Sequence, residues 1–151
     1  MSVLPPELAG PVERLRAKLL EINSSELTCM TNVVTRASQG MRLPEVQAVM
    51  ARCRQASAAA AAAAIGTFRD ECSEIGTQAN SLAKEAVVAA TAKDVSGFWA
   101  KSESSAAAFV SEAAALLPDQ GPDQTVQAIK DICGDRASSI NRYFDQLTTN
   151  G

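Results

Sequence analysis

Four cysteines, Cys29, Cys53, Cys72 and Cys133, are the residues of this sequence best suited to covalent chemistry. Four thiols permit three pairings, and spacing alone does not normally choose between them. A hairpin register favours one. If the chain folds back near Met41, residues equidistant from that point face each other, and Cys29 falls opposite Cys53. Cys72 is then left for Cys133, so two disulfides are expected. The competing arrangement is four reduced, buried cysteines acting as small apolar residues. Disulfides persist in oxidising compartments, so the first arrangement implies a secreted or luminal protein. The triplet Asn23-Ser24-Ser25 is a glycosylation sequon that fits such a location.

Little else in the chain suits catalysis. Histidine is absent, which removes the commonest general base near neutral pH and a frequent zinc ligand. With no CxxC spacing either, no metal site is expected. The serines of KSESSAAAFVSE lack an adjacent base and are not proposed as nucleophiles. No cofactor motif is present, and no enzyme activity is expected. The formal charge is −3 and the charges are dispersed, so there is no footprint for nucleic acid or an anionic membrane. No segment approaches the roughly 20 apolar residues of a membrane-spanning helix. The N-terminus lacks the basic and apolar segments of a signal peptide, so a secreted protein is expected here in mature form.

Six aromatic residues, Phe68, Phe98, Trp99, Phe109, Tyr143 and Phe144, are candidate contacts for a ligand or partner, with core packing as the competing role. Arg52 and Arg54 flank Cys53 and form a small basic spot, or simply a solvated pair.

Helices must position these residues. Apolar residues from Val12 to Ala37 recur every three or four positions, predicting a first helix over about Pro11–Ser38, weakened near Ser24 by Asn23-Ser24-Ser25. Gly40 is placed as a left-handed cap and Pro44 as the start of a second helix. The stripe of that helix includes Val46, Met50, Cys53, Ala60, Ala64, Phe68 and Cys72, then Ile75, Ala79, Leu82, Ala86 and Ala89. Continued to Lys93 it would span about 50 residues, roughly 75 Å, so a kink or break is expected near Gly66 or Gly76. Asp94 and Ser96 are candidate caps for a third helix carrying Phe98, Trp99, Ala106, Phe109, Val110, Ala113, Leu116 and Leu117. After the turn LPDQGPDQ, a last helix runs from about Pro122 to Leu147, with Val126, Ile129, Ile132, Cys133, Ile140, Tyr143, Phe144 and Leu147 facing inward. No period-two alternation marks a strand. The expected fold is all-α: residues 1–151 form one antiparallel up-and-down bundle of four to five helices, the second overlong and kinked.

Seven consecutive alanines, Ala58 to Ala64, lie within the second helix. In the hairpin register Leu15, Leu19 and Ile22 face Thr67, Ala63 and Ala60, so large side chains meet small ones and interdigitate. The tract is therefore read as a packing surface. The competing reading is the floor of an apolar ligand cavity.

The stretch from Cys53 to Cys72, helical, with two cysteines nearly twenty residues apart and Phe68 shortly before the second, resembles the core of the insect secreted helical proteins grouped with the tsetse EP protein. The resemblance covers the middle third of the chain. It implies a small, cysteine-containing, helix-rich secreted protein of gut, saliva or haemolymph-facing fluids, a group mostly without a known biochemical activity. This chain departs from the pattern in its alanine run and in having only Cys133 downstream, and the resemblance assigns no functional residue.

The leading functional expectation is a non-enzymatic, secreted bundle that binds another protein. The alternatives are a carrier of an apolar small molecule or lipid inside the bundle, and an intracellular amphipathic scaffold or coat protein with four free thiols. The exposed seam of the long second helix could also pair with a second copy.

Overall fold

Alanine-rich, strand-poor segments with three- and four-residue apolar spacing leave helix as the conformation that satisfies the backbone while burying one face. The computed structural model describes residues 5–37, 40, 42–75, 81–115 and 122–149, and they form four α-helices after a short 3-10 turn at Pro6–Leu8. The helices are α1 (Ala9–Ala37), α2 (Leu43–Glu74), α3 (Ser81–Ala115) and α4 (Pro122–Thr149). Ser38, Met41, Gly76, Ala79, Leu116, Leu117 and the rest of the LPDQG turn lie outside the described residues.

Cross-helix contacts fix the topology. Cys29 meets Cys53 and Arg14 meets Glu71, so α1 and α2 are antiparallel. Phe98 stacks on Tyr143 while Glu103 bonds Arg136, so α3 and α4 are antiparallel as well. Arg16 bonds Asp145 and Glu26 bonds Arg136, which sets α4 antiparallel to α1 and closes the bundle. The result is the up-and-down arrangement expected of short connections.

Local signals place most boundaries. Pro44 lies in the first turn of α2, where its missing N–H costs nothing. Gly40 has φ +112°, in the region that favours glycine. α1 runs through Asn23-Ser24-Ser25 without a break, because tertiary contacts there outweigh the weak propensity of those residues.

The expected break in the long second helix falls on the Gly76 side: α2 ends at Glu74, and Gly66 stays helical. Asp94 and Ser96 do not start a helix but lie inside α3, which runs for 35 residues from Ser81. A new helix sets its own rotational phase, so extending the α2 stripe across the break mislabels the inner face. Ala86 and Ala89 are exposed, and Val88, Thr91, Ala92 and Val95 are buried instead. Lys84 Nζ donates to the Ile75 carbonyl, tying the start of α3 to the end of α2.

The core forms two clusters. One gathers Leu8, Val12, Leu15 and Leu19 against Phe68, Cys72, Val95 and Phe144, and the other gathers Met30, Val34, Val46, Cys53, Ile129 and Cys133. α4 matches its predicted face: Ile129, Cys133, Ile140, Phe144 and Leu147 are buried, and Val126, Ile132 and Tyr143 are half-buried.

The alanine tract is divided by helical geometry. Ala61 and Ala64 are buried and Ala60 is half-buried against the leucine-bearing face of α1, as large-against-small packing requires. Ala63 and Thr67, expected to face Leu19 and Leu15 in the core, are exposed. They border a surface hollow of about 400 Å³ between α1 and α2, with Leu15, Ala64 and Phe68 at its floor and the Arg14–Glu71 ion pair beside it.

Candidate functional site

Cys29 and Cys53 form a disulfide with Cα atoms 6.0 Å apart, at the position the hairpin register assigns. The second expected bridge does not form: Cys72 and Cys133 are free and buried. Cys72 lies level with Arg14, whose partner Glu71 is its neighbour, whereas the Cys133 carbonyl lies level with Asn23. Those levels are about 13 Å apart along α1 at 1.5 Å per residue, far beyond the Cα separation a disulfide spans. Burial pushes both thiols up, Cys133 to about 11, with the nearby Glu26 carboxylate adding to the effect.

Asn23 is not placed for glycosylation. Its side chain is only 3% exposed in the fold, and Nδ2, the atom a glycan would occupy, donates to the Cys133 carbonyl at 2.9 Å.

The aromatic candidates separate into two groups. Phe68, Trp99 and Phe144 are core residues and are not available to a partner. Phe98 and Tyr143 are half-buried and stack with ring centroids 4.2 Å apart, and the Tyr143 hydroxyl donates to Asp94. Burial and the Asp94 carboxylate raise the Tyr143 pKa far above the ordinary phenol value. Phe109, a candidate ligand or partner contact, is 55% exposed. It lies in the last two turns of α3.

Phe98 and Phe109 stand at the two ends of a groove of about 590 Å³ between α3 and α4. Ala106, Ala128 and Ile132 form its apolar walls, Lys101 and three serines lie along its edges, and Asp131 and Asp135 project from α4. Small residues at positions 106 and 128 create the space, since longer side chains there would fill it.

Beneath the groove lies a buried charge cluster. Arg136 Nη1 donates to Glu26 Oε2 at 2.8 Å and Nη2 to Glu103 Oε1 at 3.0 Å, and the guanidinium carbon lies 4.1 Å from the centre of the Trp99 ring. Arg54 approaches Glu103 at 3.8 Å, so one member of the predicted basic spot is an ion-pair partner while Arg52 remains exposed. Every helix therefore contributes one charge. Arg136 also lines the groove, and its Nε has no hydrogen-bond acceptor among the described residues. Glu103 is held above the ordinary glutamate range, first by desolvation and then by the Glu26 carboxylate.

Spacing could have hinted at this cluster: Glu26 and Arg136 each fall on the apolar stripe of their own helix, a position where an isolated charge must find a partner. Among the described residues no helix is long and apolar enough to cross a membrane. No family model, curated protein or solved structure matches this chain.

Proposed function

We propose that this protein is a non-enzymatic binding protein that holds an apolar small molecule in the groove between α3 and α4. The observation that carries this reading is the groove itself. Its volume of about 590 Å³ falls within the range of roughly 300–1,000 Å³ typical of small-molecule sites, and its apolar walls at Ala106, Ala128 and Ile132 are bordered by serines and charged side chains. The site lies at the side of the bundle, whereas the middle is filled by side chains of the two core clusters. The Cys29–Cys53 bridge supports work in an oxidising, extracellular or luminal compartment.

A protein partner is the second reading, favoured by Phe109, a large ring left 55% exposed at the groove's end. Exposed aromatics of this kind serve as anchors in protein interfaces.

Nile red, a neutral apolar dye, tests the first reading. Its fluorescence is expected to rise on addition of the protein and to fall back in Ala106→Trp, which fills the groove. A dye that ignores the native protein, or that responds equally to the filled variant, overturns it.

A further inference from the structure

We propose that the groove's occupant is a neutral apolar molecule with a carbonyl oxygen near its middle, which accepts a hydrogen bond from Arg136 Nε–H. This rests on the binding role given above and adds the chemistry of the ligand.

The Arg136 side chain is only 5% exposed, yet it lines the groove. Nη1 donates to Glu26 and Nη2 to Glu103, while Nε, buried as well, has no acceptor among the described residues. A buried donor without a partner is costly, the more so on a charged group. A molecule that supplies the acceptor gains what the fold forgoes. The direction of this donor follows from the shape of the guanidinium, in which Nε–H and Nη2 share one edge of a planar fork. Nη2 is aimed at Glu103 on α3, so Nε–H also points to the α3 side of α4, where the groove lies.

Level decides where along the ligand the acceptor must sit. Glu103, bonded to Arg136, is five residues from Phe98 and six from Phe109 on α3. The donor therefore stands about 8 Å from one end of the groove and about 9 Å from the other. Ala106, Ala128 and Ile132 wall the space around it, so the occupant needs apolar material on both sides of its oxygen.

Charge selects a neutral acceptor. Arg136 already faces Glu26 and Glu103, and although Arg54 reaches Glu103 at 3.8 Å, Asp135 precedes Arg136 on α4 at the same mid-groove level. A ligand carboxylate would meet these like charges and find one uncommitted nitrogen for its two oxygens. An ammonium would bring donors to a floor whose unmet need is an acceptor. A hydroxyl brings a donor along with its acceptor, whereas a carbonyl brings the acceptor alone.

Two isomeric ketones, dipentyl ketone and methyl nonyl ketone, test the assignment, since they share the same atoms and differ in whether the oxygen lies at the middle or near one end. Each is titrated against Nile red bound to the intact, oxidised protein. Dipentyl ketone is expected to bind about fivefold more tightly or better, as a hydrogen bond to a charged donor allows. In proton–nitrogen correlation spectra of isotope-labelled protein, Arg136 Nε–H is assigned through bonds from its own backbone. Its proton is expected to move downfield with dipentyl ketone, further than that of any other arginine Nε–H. Neither measurement alters Arg136, so the fold stays intact. Equal affinities, or an Arg136 Nε–H that stays in place, overturn the assignment while leaving an apolar groove. If neither ketone competes but Nile red still binds in a way that Ala106→Trp abolishes, the assignment falls and the groove stands. If Nile red does not bind, both fall.

Discussion

Arg136 on the last helix and Glu26 on the first meet at 2.8 Å with side chains only 5% and 2% exposed, and Glu103 on the third helix completes a buried triad. Arg136 is the buried cation shared by both carboxylates, while Arg54 reaches only Glu103, at 3.8 Å and from a more exposed position. Arg136→Met is therefore expected to destabilise the fold by about 3–5 kcal/mol, since it strands buried charge. Replacing all three with apolar residues of similar volume should recover most of that loss. Urea denaturation of the single and triple variants measures both.

The same triad sets a pH dependence. Glu103 has a folded-state pKa above its ordinary value of 4.5, mainly through desolvation and then through Glu26. Between that ordinary value and the raised one the folded chain holds this proton while the unfolded chain releases it. Glu103 therefore adds stability as pH falls through the raised pKa toward 4.5, and loses that contribution as pH rises through the same window. The urea midpoint of the native protein minus that of Glu103→Gln should increase on acidification from pH 7 to pH 5. A flat difference would contradict the burial of this carboxyl.

The thiols divide into a bridged and a free pair. Intact mass after alkylation is expected to show no adduct on the native protein, two after unfolding without reductant, and four after unfolding with reduction, because Cys72 and Cys133 are buried and burial holds their thiols protonated. Cys29→Ser/Cys53→Ser, which opens a link across 24 residues, should cost about 3 kcal/mol by the loop-entropy relation.

The alanine tract has two unequal faces. Ala61 is 2% exposed and Ala59 is exposed, so Ala61→Leu overpacks the contact with α1 and should cost about 1–3 kcal/mol. Ala59→Leu should change stability by less than about 0.5 kcal/mol. Thermal melts of the two variants distinguish a packing surface from a spacer, which would tolerate both.

Much of the fold is legible in the residue order. The apolar positions of α4 from Ile129 to Leu147 predict its buried face because one helix keeps one phase throughout. The Cys29–Cys53 pairing follows from a hairpin folded about a single turn, where register is a matter of counting. Reading fails where a phase is carried across a break, as it does for Ala86 and Ala89. It also fails where a pairing is reached by elimination, as for Cys72 with Cys133, because the level of a residue along a neighbouring helix depends on every intervening connection.

The groove was only half visible. Phe98 and Phe109 stand out as aromatics in an alanine-rich helix, but nothing local says that one stacks on Tyr143 while the other faces solvent. Asp131 and Asp135 look like any solvated pair until α3 is laid beside them.

Sequence by itself determined the helical state, the antiparallel sense of the first two helices and which two cysteines face each other across them, because each depends on periodicity and local turn chemistry. Tertiary structure alone decided which polar groups leave water. Asn23 bonds the Cys133 carbonyl and Glu26 bonds Arg136, each across 110 residues of chain, and burial is affordable there only because a distant helix delivers the partner. The same docking of α4 against α1 and α3 fixes where the groove opens and which charges border it.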